Sequence, residues 1–349
     1  MIARAEILNN KCVQKNPSLI IAIATNECNT IMSLVRLKKR CHSGLAPIQI
    51  NYFDQEQACA WIKKYHVKYL KKVSSCPHNR KHRTFHNAAS FCKHLIDWTP
   101  EEKREFSKKL HALVSTCWSW RRLLVSGPTW NFILANDGLE SGMPHTIHTA
   151  IVLPRWLVRT ILFETSEPEA KRTAYETILH ERIHVMQKSN PTHFSRLYKQ
   201  WGWSPIEPGC ALDQTIDAWE SQGQYPTRYN PDTPNRWKCV KVHPNGTTTT
   251  WIPYVRMGQG GMRDARYMLA KLRVEQDNTV IPPSFVQWRV LDSVEWYTHF
   301  FGQAAHVYHP DESSAVLIAE LMIRDTENSK IRSCPAVDSI IQWSQSIDT

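Results

Sequence analysis

The sequence predicts an α+β fold, on three observations. Two long segments carry helix-start signals followed by apolar residues at helical spacing, one from Thr99-Pro100-Glu101-Glu102 and one from Ser166 to Ser189. Short extended pieces separated by turn residues occupy residues 129–154 and 237–255. A late helix opens at Tyr308-His309-Pro310-Asp311, with Pro310 near its first position. The expected architecture is a central helix with a small sheet, joined by a second helix late in the chain.

Residues 1–95 read as a basic region rich in Cys and His, and 96–349 as the main domain, with a hairpin inserted near 237–255. In the first region a helix is expected over Gln55 to Lys72. The main domain begins with a capping hydroxyl at Thr99, proline at the first helical position and acids near the positive end of the helix dipole, a helix that runs to about Thr116. Thr149 to Pro154 reads as a strand closed by proline. Ser166, Pro168 and Glu169 form a capping-box signature for the central helix, which Ser189-Asn190-Pro191 ends. Trp201 to Pro234 reads as long ordered loop, and Trp237 to His243 with Thr247 to Val255 flank the turn Pro244-Asn245-Gly246.

With 349 residues, 42% hydrophobic and 21% charged, the chain can bury at least one large core, which excludes a disordered protein. No apolar run approaches the roughly 18 to 20 residues that span a bilayer. The best, Leu19 to Ala24, is far shorter, and Met1 to Glu6 carries no signal-peptide pattern. No membrane association is expected. Ten cysteines without a CxxC pair read as reduced thiols of an intracellular, cytoplasmic protein. The net charge of +11 is concentrated in Arg36 to Arg40, Lys63 to Lys72 and Arg80 to Arg83. It fits either a solubilising surface or a nucleic-acid footprint, and no recognised binding motif accompanies it. Cys76, His78, His82, His86, Cys92 and His94 could be arranged around a second zinc, but their spacing matches no zinc-finger pattern, and a solvated basic loop is the preferred reading.

In the central helix Tyr175, Ile178, Leu179, Ile183, Val185 and Met186 cover most of the circumference, so the helix is buried on nearly every side. The remaining polar stripe is Thr173, Thr177, His180, Glu181 and His184. His180 and His184 project one turn apart from one face, the separation at which two imidazoles bind one tetrahedral metal. Glu181 lies beside them, placed to take the proton of a water that the metal activates and to deliver it to a leaving amine.

Gln187 and Asn190 stand where a three-histidine motif would continue, so the third ligand comes from elsewhere. Glu312 heads the apolar stripe Ala315, Val316, Ala319 and Ile323, a costly place for a carboxylate unless it is paired or metal-bound. It is the first choice, with Glu320 and His193 as alternatives.

His180-Glu181-Arg182-Ile183-His184 with the distal Glu312 resembles the zincin superfamily, and within it the gluzincins. More loosely, Glu140 to Thr146, the region through Trp201-Gly202-Trp203, Asn230 to Thr233 and the late His-Pro-Asp-Glu are similar to zincin-like proteins of large DNA viruses. The resemblance implies one Zn2+ per chain held by His180, His184 and Glu312, and a metallopeptidase acting on a peptide or protein substrate with Glu181 as general base and acid. It implies a peptide cleft along an edge strand, for which Ile151 to Leu153 is the candidate. For stabilising the oxyanion, Tyr308 and His309 lead, with His145, Arg228 and Tyr229 also eligible. A virion or interaction protein that keeps the scaffold without turnover is the alternative, with nucleic acid bound through the basic first region in a further variant.

Overall fold

The computed structural model describes residues 47–67, 87–163, 167–221, 232, 236–243, 246, 248–258, 261–273, 286–302, 308–327 and 333–346. From Ile48 onward the chain is one compact unit. In order, its elements are β1 (Ile50–Tyr52), α1 (Gln55–Tyr65), α2 (Ala88–Cys92), α3 (Pro100–Thr116), α4 (Arg121–Ser126), β2 (Trp130–Ala135), β3 (His145–Ile147), β4 (Ala150–Pro154) and α5 (Arg155–Leu162). There follow α6 (Pro168–Ser189), α7 (Pro191–Gln200), β5 (Trp203–Pro205), α8 (Ala211–Ser221), β6 (Trp237–Val242), β7 (Thr248–Gly258), β8 (Gly261–Arg273), β9 (Gln287–Val290), α9 (Glu295–Phe301), α10 (Pro310–Glu327) and α11 (Pro335–Gln345). This is the mixed α and β composition expected, and the stretch set apart before residue 95 contributes β1, α1 and α2 to the same unit.

The first sheet has the order β1-β2-β4-β3, with β1, β2 and β4 parallel and β3 antiparallel to β4. Alternate residues leave its two faces. Phe132, Leu134, Ile151 and Leu153 join the main core with α3, α5 and α6, while Ile133, Ala135, Ala150 and Val152 pack with Phe53, Ile62 and Phe91 on the side of α1 and α2. Burial on both faces explains why Ile151-Val152-Leu153 is a continuous apolar run instead of an alternating one. It also corrects the expected placement of that strand, since β4 lies inside the sheet and β3 is the edge. The second sheet, β5-β6-β7-β8-β9, is antiparallel throughout and contains the expected hairpin as β6 and β7.

The helix starts follow local chemistry. Thr99 Oγ1 accepts from Glu102 N at 3.2 Å while Glu102 Oε2 accepts from Thr99 N at 3.0 Å, and Asp54 with Gln57 repeats this reciprocal cap on α1. Helix α1 ends at Tyr65, short of the expected Lys72, which lies outside the described residues. Helix α6 begins with Pro168 and has Glu167, without a side-chain cap bond, at its capping position. The capping role expected of Ser166 falls on a residue outside the described ones. The expected loop from Trp201 to Pro234 contains α8, whose Ile216 and Trp219 are buried one turn apart against the second sheet, with Leu212 packed beside them.

Cys59 and Cys92 form a disulfide between α1 and α2, which corrects the reading of all cysteines as reduced thiols. That bond removes Cys92 from the alternative zinc cluster, and His94 Nδ1 lies 2.8 Å from Asn136 Oδ1. Its remaining members lie outside the described residues, as do the basic segments 36–40 and 80–83. Among the described residues no helix is long and apolar enough to cross a membrane.

Arg182, inside the histidine motif, anchors α6 to the rest of the core. Fully buried, its guanidinium lies 4.5 Å above the Trp130 ring and donates to Pro128 O at 2.7 Å and Leu124 O at 3.3 Å. Burial pushes its pKa down to about 9. A Cβ on Gly127 would stand 2.7 Å from Nη2 and would push the guanidinium out of this position. Arg182→Ala leaves two carbonyls without these donors and a void beside Trp130, at a cost of roughly 3 kcal/mol. A urea unfolding midpoint lowered by that energy divided by the unchanged slope is the expected result, and a loss below about 1 kcal/mol would contradict this anchoring role.

Candidate metal centre

Helix α6 carries His180, Glu181, His184 and Lys188 along one side, at the one-turn spacings that align side chains. Helix α10 brings Glu312 to them from its first turn, where Pro310 starts the helix and the dipole favours a carboxylate. Ala315 and Ala319, fully buried, let α10 lie close against α6. The result is a convergence of His180 Nε2, His184 Nε2 and one Glu312 oxygen. The two nitrogens are 3.0 Å apart, and Glu312 Oε2 lies 3.4 Å from His180 and 3.5 Å from His184. Tetrahedral coordination with bonds of about 2.0–2.1 Å places ligand atoms about 3.3 Å apart, so these three can hold a metal ion.

The ring orientation of His184 is set by Gln187, whose Oε1 lies 2.7 Å from Nδ1. Gln187 Nε2 donates to Asp311 O and to Ser314 Oγ, each at 2.8 Å. Because the amide nitrogen is committed as a donor, its oxygen faces His184 and must accept, which places a proton on Nδ1 and turns Nε2 to the metal position. Gln187 therefore orients a ligand and fastens α6 to the start of α10 together.

The electrostatics are those of a buried charged cluster. Burial opposes charge on His184, yet Glu312, with Asp232 and Glu181 beyond it, brings its pKa up to about 10. Burial also opposes charge on Glu312, and the two histidines outweigh it, holding that carboxyl well below the usual range. Glu181 is the reverse case. Burial first, then the neighbouring Asp232 and Glu312, push its carboxyl well above the ordinary value against the opposing pull of His184 and Lys188. Among the described residues its Oε2 has no hydrogen-bond partner. A buried carboxylate oxygen in that condition favours holding a proton or meeting a donor brought by a ligand.

A second polar group adjoins the first. Thr146 N donates to Asp232 Oδ1 at 2.7 Å, Lys188 Nζ donates to Thr146 O at 3.3 Å, and Lys188 pairs with Asp232 at 3.5 Å. The Thr146 hydroxyl completes a ring by donating to Asp232 and accepting from Lys188. Despite burial, which favours the neutral acid, Lys188 and then His184 lower the pKa of Asp232.

The alternative ligands lie elsewhere. Glu320, further along α10, is engaged by Arg324, and His193 packs its ring 5.0 Å from that of Trp343. Of the residues expected to stabilise an oxyanion, Tyr308 stacks on Tyr267, and His309 faces Asp311, with 3.4 Å between Nδ1 and Oδ2. His145 Nδ1 lies 3.2 Å from Met143 O, while Arg228 and Tyr229 fall outside the described residues. Sequence reasoning missed Gln187, Lys188, Thr146 and Asp232. Lys188 left the signal of the same helix face one turn past His184, and Thr146 and Asp232 lie in two segments quoted above only for a loose resemblance. Comparison with protein-family models, curated proteins and solved structures finds no match.

Gln187→Leu, which removes both amide bonds while keeping bulk, should weaken metal binding about 10- to 100-fold in competition with a chelator. Retained affinity would show that His184 needs no such partner. Metal uptake should also release protons. His184, held protonated to about 10, must give up its proton to become a ligand. Calorimetry near pH 7 in buffers of differing ionisation enthalpy should register about one proton per metal, with affinity falling as pH falls. Release of none would contradict this charge state of His184.

Proposed function

We propose that this chain is a zinc-dependent hydrolase that cleaves peptide bonds, with His180, His184 and Glu312 as the metal ligands and Glu181 as general base and then general acid. The observation that carries the reading is the convergence of two imidazole nitrogens and one carboxylate oxygen at tetrahedral-edge spacing, beside a buried carboxylate with an unpartnered oxygen. Zinc bound there supplies Lewis acidity to a carbonyl and lowers the pKa of water toward about 7. The chain's own residues do the rest. Glu181 receives the water proton at its carboxylate and passes it to the leaving nitrogen, a task suited to a carboxyl whose proton affinity is raised by burial and by Asp232. Gln187 keeps His184 Nε2 directed at the metal position throughout.

One observation favours a second reading, a scaffold that holds metal without turnover: His184 and Glu181 are almost wholly enclosed, at 0% and 4% exposure. Elemental analysis of the purified chain beside His184→Ala and Glu312→Ala tests the common premise. About one zinc per chain, lost in both variants, is expected. Zinc retained in Glu312→Ala would remove Glu312 from the ligand set. Glu181→Gln separates the two readings, because it should keep the metal while lowering peptide-library cleavage by about 10²- to 10⁴-fold. Metal-loaded wild type that cleaves nothing would leave the scaffold reading in place.

A further inference from the structure

The edge of the first sheet nearest the metal group is β3, and it is short. In the antiparallel register His145↔Val152, Thr146↔Ile151 and Ile147↔Ala150, alternate residues turn their main-chain groups toward and away from β4. Thr146 is the residue whose N–H and C=O point away, because the first goes to Asp232 Oδ1 at 2.7 Å and the second receives Lys188 Nζ at 3.3 Å. An added strand pairs with such a residue by offering an acceptor to its N–H and a donor to its C=O. Asp232 and Lys188 offer that same complement from side chains. Their ion pair, with the Thr146 hydroxyl between them, joins the two halves into one unit. All of β3 is covered, with His145 at 4%, Thr146 at 0% and Ile147 at 1% exposure. Lys188 stands one turn beyond His184 on α6, so the filled position is adjacent to the metal ligands.

We propose that Asp232 and Lys188 occupy the main-chain docking position at Thr146 in place of a peptide strand, so that the chain competes with its own substrate for the sheet edge. The proposal rests on the metallopeptidase reading. Thr146 alone of the three β3 residues turns outward, so any extended peptide that pairs with this edge beside the metal must use its N–H and C=O. Substrate binding is then an exchange of the Asp232 carboxylate for a peptide carbonyl and of the Lys188 ammonium for a peptide N–H. The chain's own pair is a buried, charge-assisted one, which makes that exchange unfavourable for a short peptide.

Two probes separate metal access from edge access in the full zinc-loaded chain. Acetohydroxamate reaches only the metal, whereas an extended tripeptide hydroxamate also needs the edge. In the wild type the peptide portion should add less than about threefold to affinity, and in Asp232→Ala it should add about tenfold or more. Hydrogen exchange supplies a readout that needs no metal: the Thr146 amide should be protected in the wild type and exchange at least about tenfold faster in Asp232→Ala. Should that variant fail to fold with Lys188 unpaired, Asp232→Asn, which removes the charge and keeps the shape, should shift both readouts in the same direction by a smaller factor. An equal peptide increment in wild type and variants, or an unchanged Thr146 exchange rate, overturns the proposal. Failure of acetohydroxamate to bind the zinc-loaded wild type would instead sink the metallopeptidase reading, with the exchange rate at Thr146 still deciding what holds the edge.

Discussion

Placing the Glu312 carboxylate in the seam between α6 and α10 is the constraint to which the rest of this site answers. An ionised carboxylate taken out of water costs several kcal/mol unless opposite charge and hydrogen bonds meet it. Here the two histidines meet it, and the small, fully buried Ala315 and Ala319 follow Glu312 at helical spacing on α10. Closeness of helices and convergence of ligands are thus one geometric fact. Gln187 extends it. By bonding His184 at one end and Asp311 and Ser314 at the other, it ties the rotation of the imidazole to the position of α10's first turn.

The sheet is coupled to the same helix by different means. Apolar packing of Ile151 and Leu153 against α6 sets the depth of the helix on the sheet, but such contacts slide at little cost. Lys188 and Asp232 are directional and fix the edge strand lengthwise at Thr146. Arg182 does the corresponding work on another side, holding α6 to α4 through Leu124 and to the segment after it through Pro128. The helix that bears His180 and His184 is therefore pinned by directional polar contacts in its C-terminal half, in addition to the packing of Ile178, Leu179, Ile183, Val185 and Met186.

What was legible in the sequence follows from how local each signal is. The histidine spacing, the Thr99 cap and the Pro244-Asn245-Gly246 turn are set within a few residues, and the helices and hairpin they imply are present. Glu312 was recoverable because a carboxylate at the head of an apolar helix face is an anomaly with few physical resolutions. Asp232 had no such mark. It sits in a stretch rich in Pro, Gly and Asn, and its importance comes entirely from a contact with a strand 86 residues away. Helix α8 was lost in the same stretch because the turn residues on either side outweighed the spacing of Leu212, Ile216 and Trp219. The edge strand was misplaced by one because an apolar run marks a strand as buried and says nothing of which neighbour lies outside it. The disulfide was out of reach, since the pairing of Cys59 with Cys92 depends on how α1 and α2 pack.

Charge balance in the enclosed cluster connects these features to chemistry. Glu181, Asp232, Asp311 and Glu312 are the acids around His180 and His184, with Lys188 paired to Asp232 and His309 beside Asp311. Their mutual influence shows in the directions of the shifts: the acids hold His184 up to about 10, the histidines hold Glu312 well below the usual range, and Glu181 is pushed well above it. A cation arriving among these acids supplies Glu181 with the opposite charge that Glu312 already has in the histidines. On the metallopeptidase reading, this is the setting in which Glu181 would pass from holding a proton to accepting one from water.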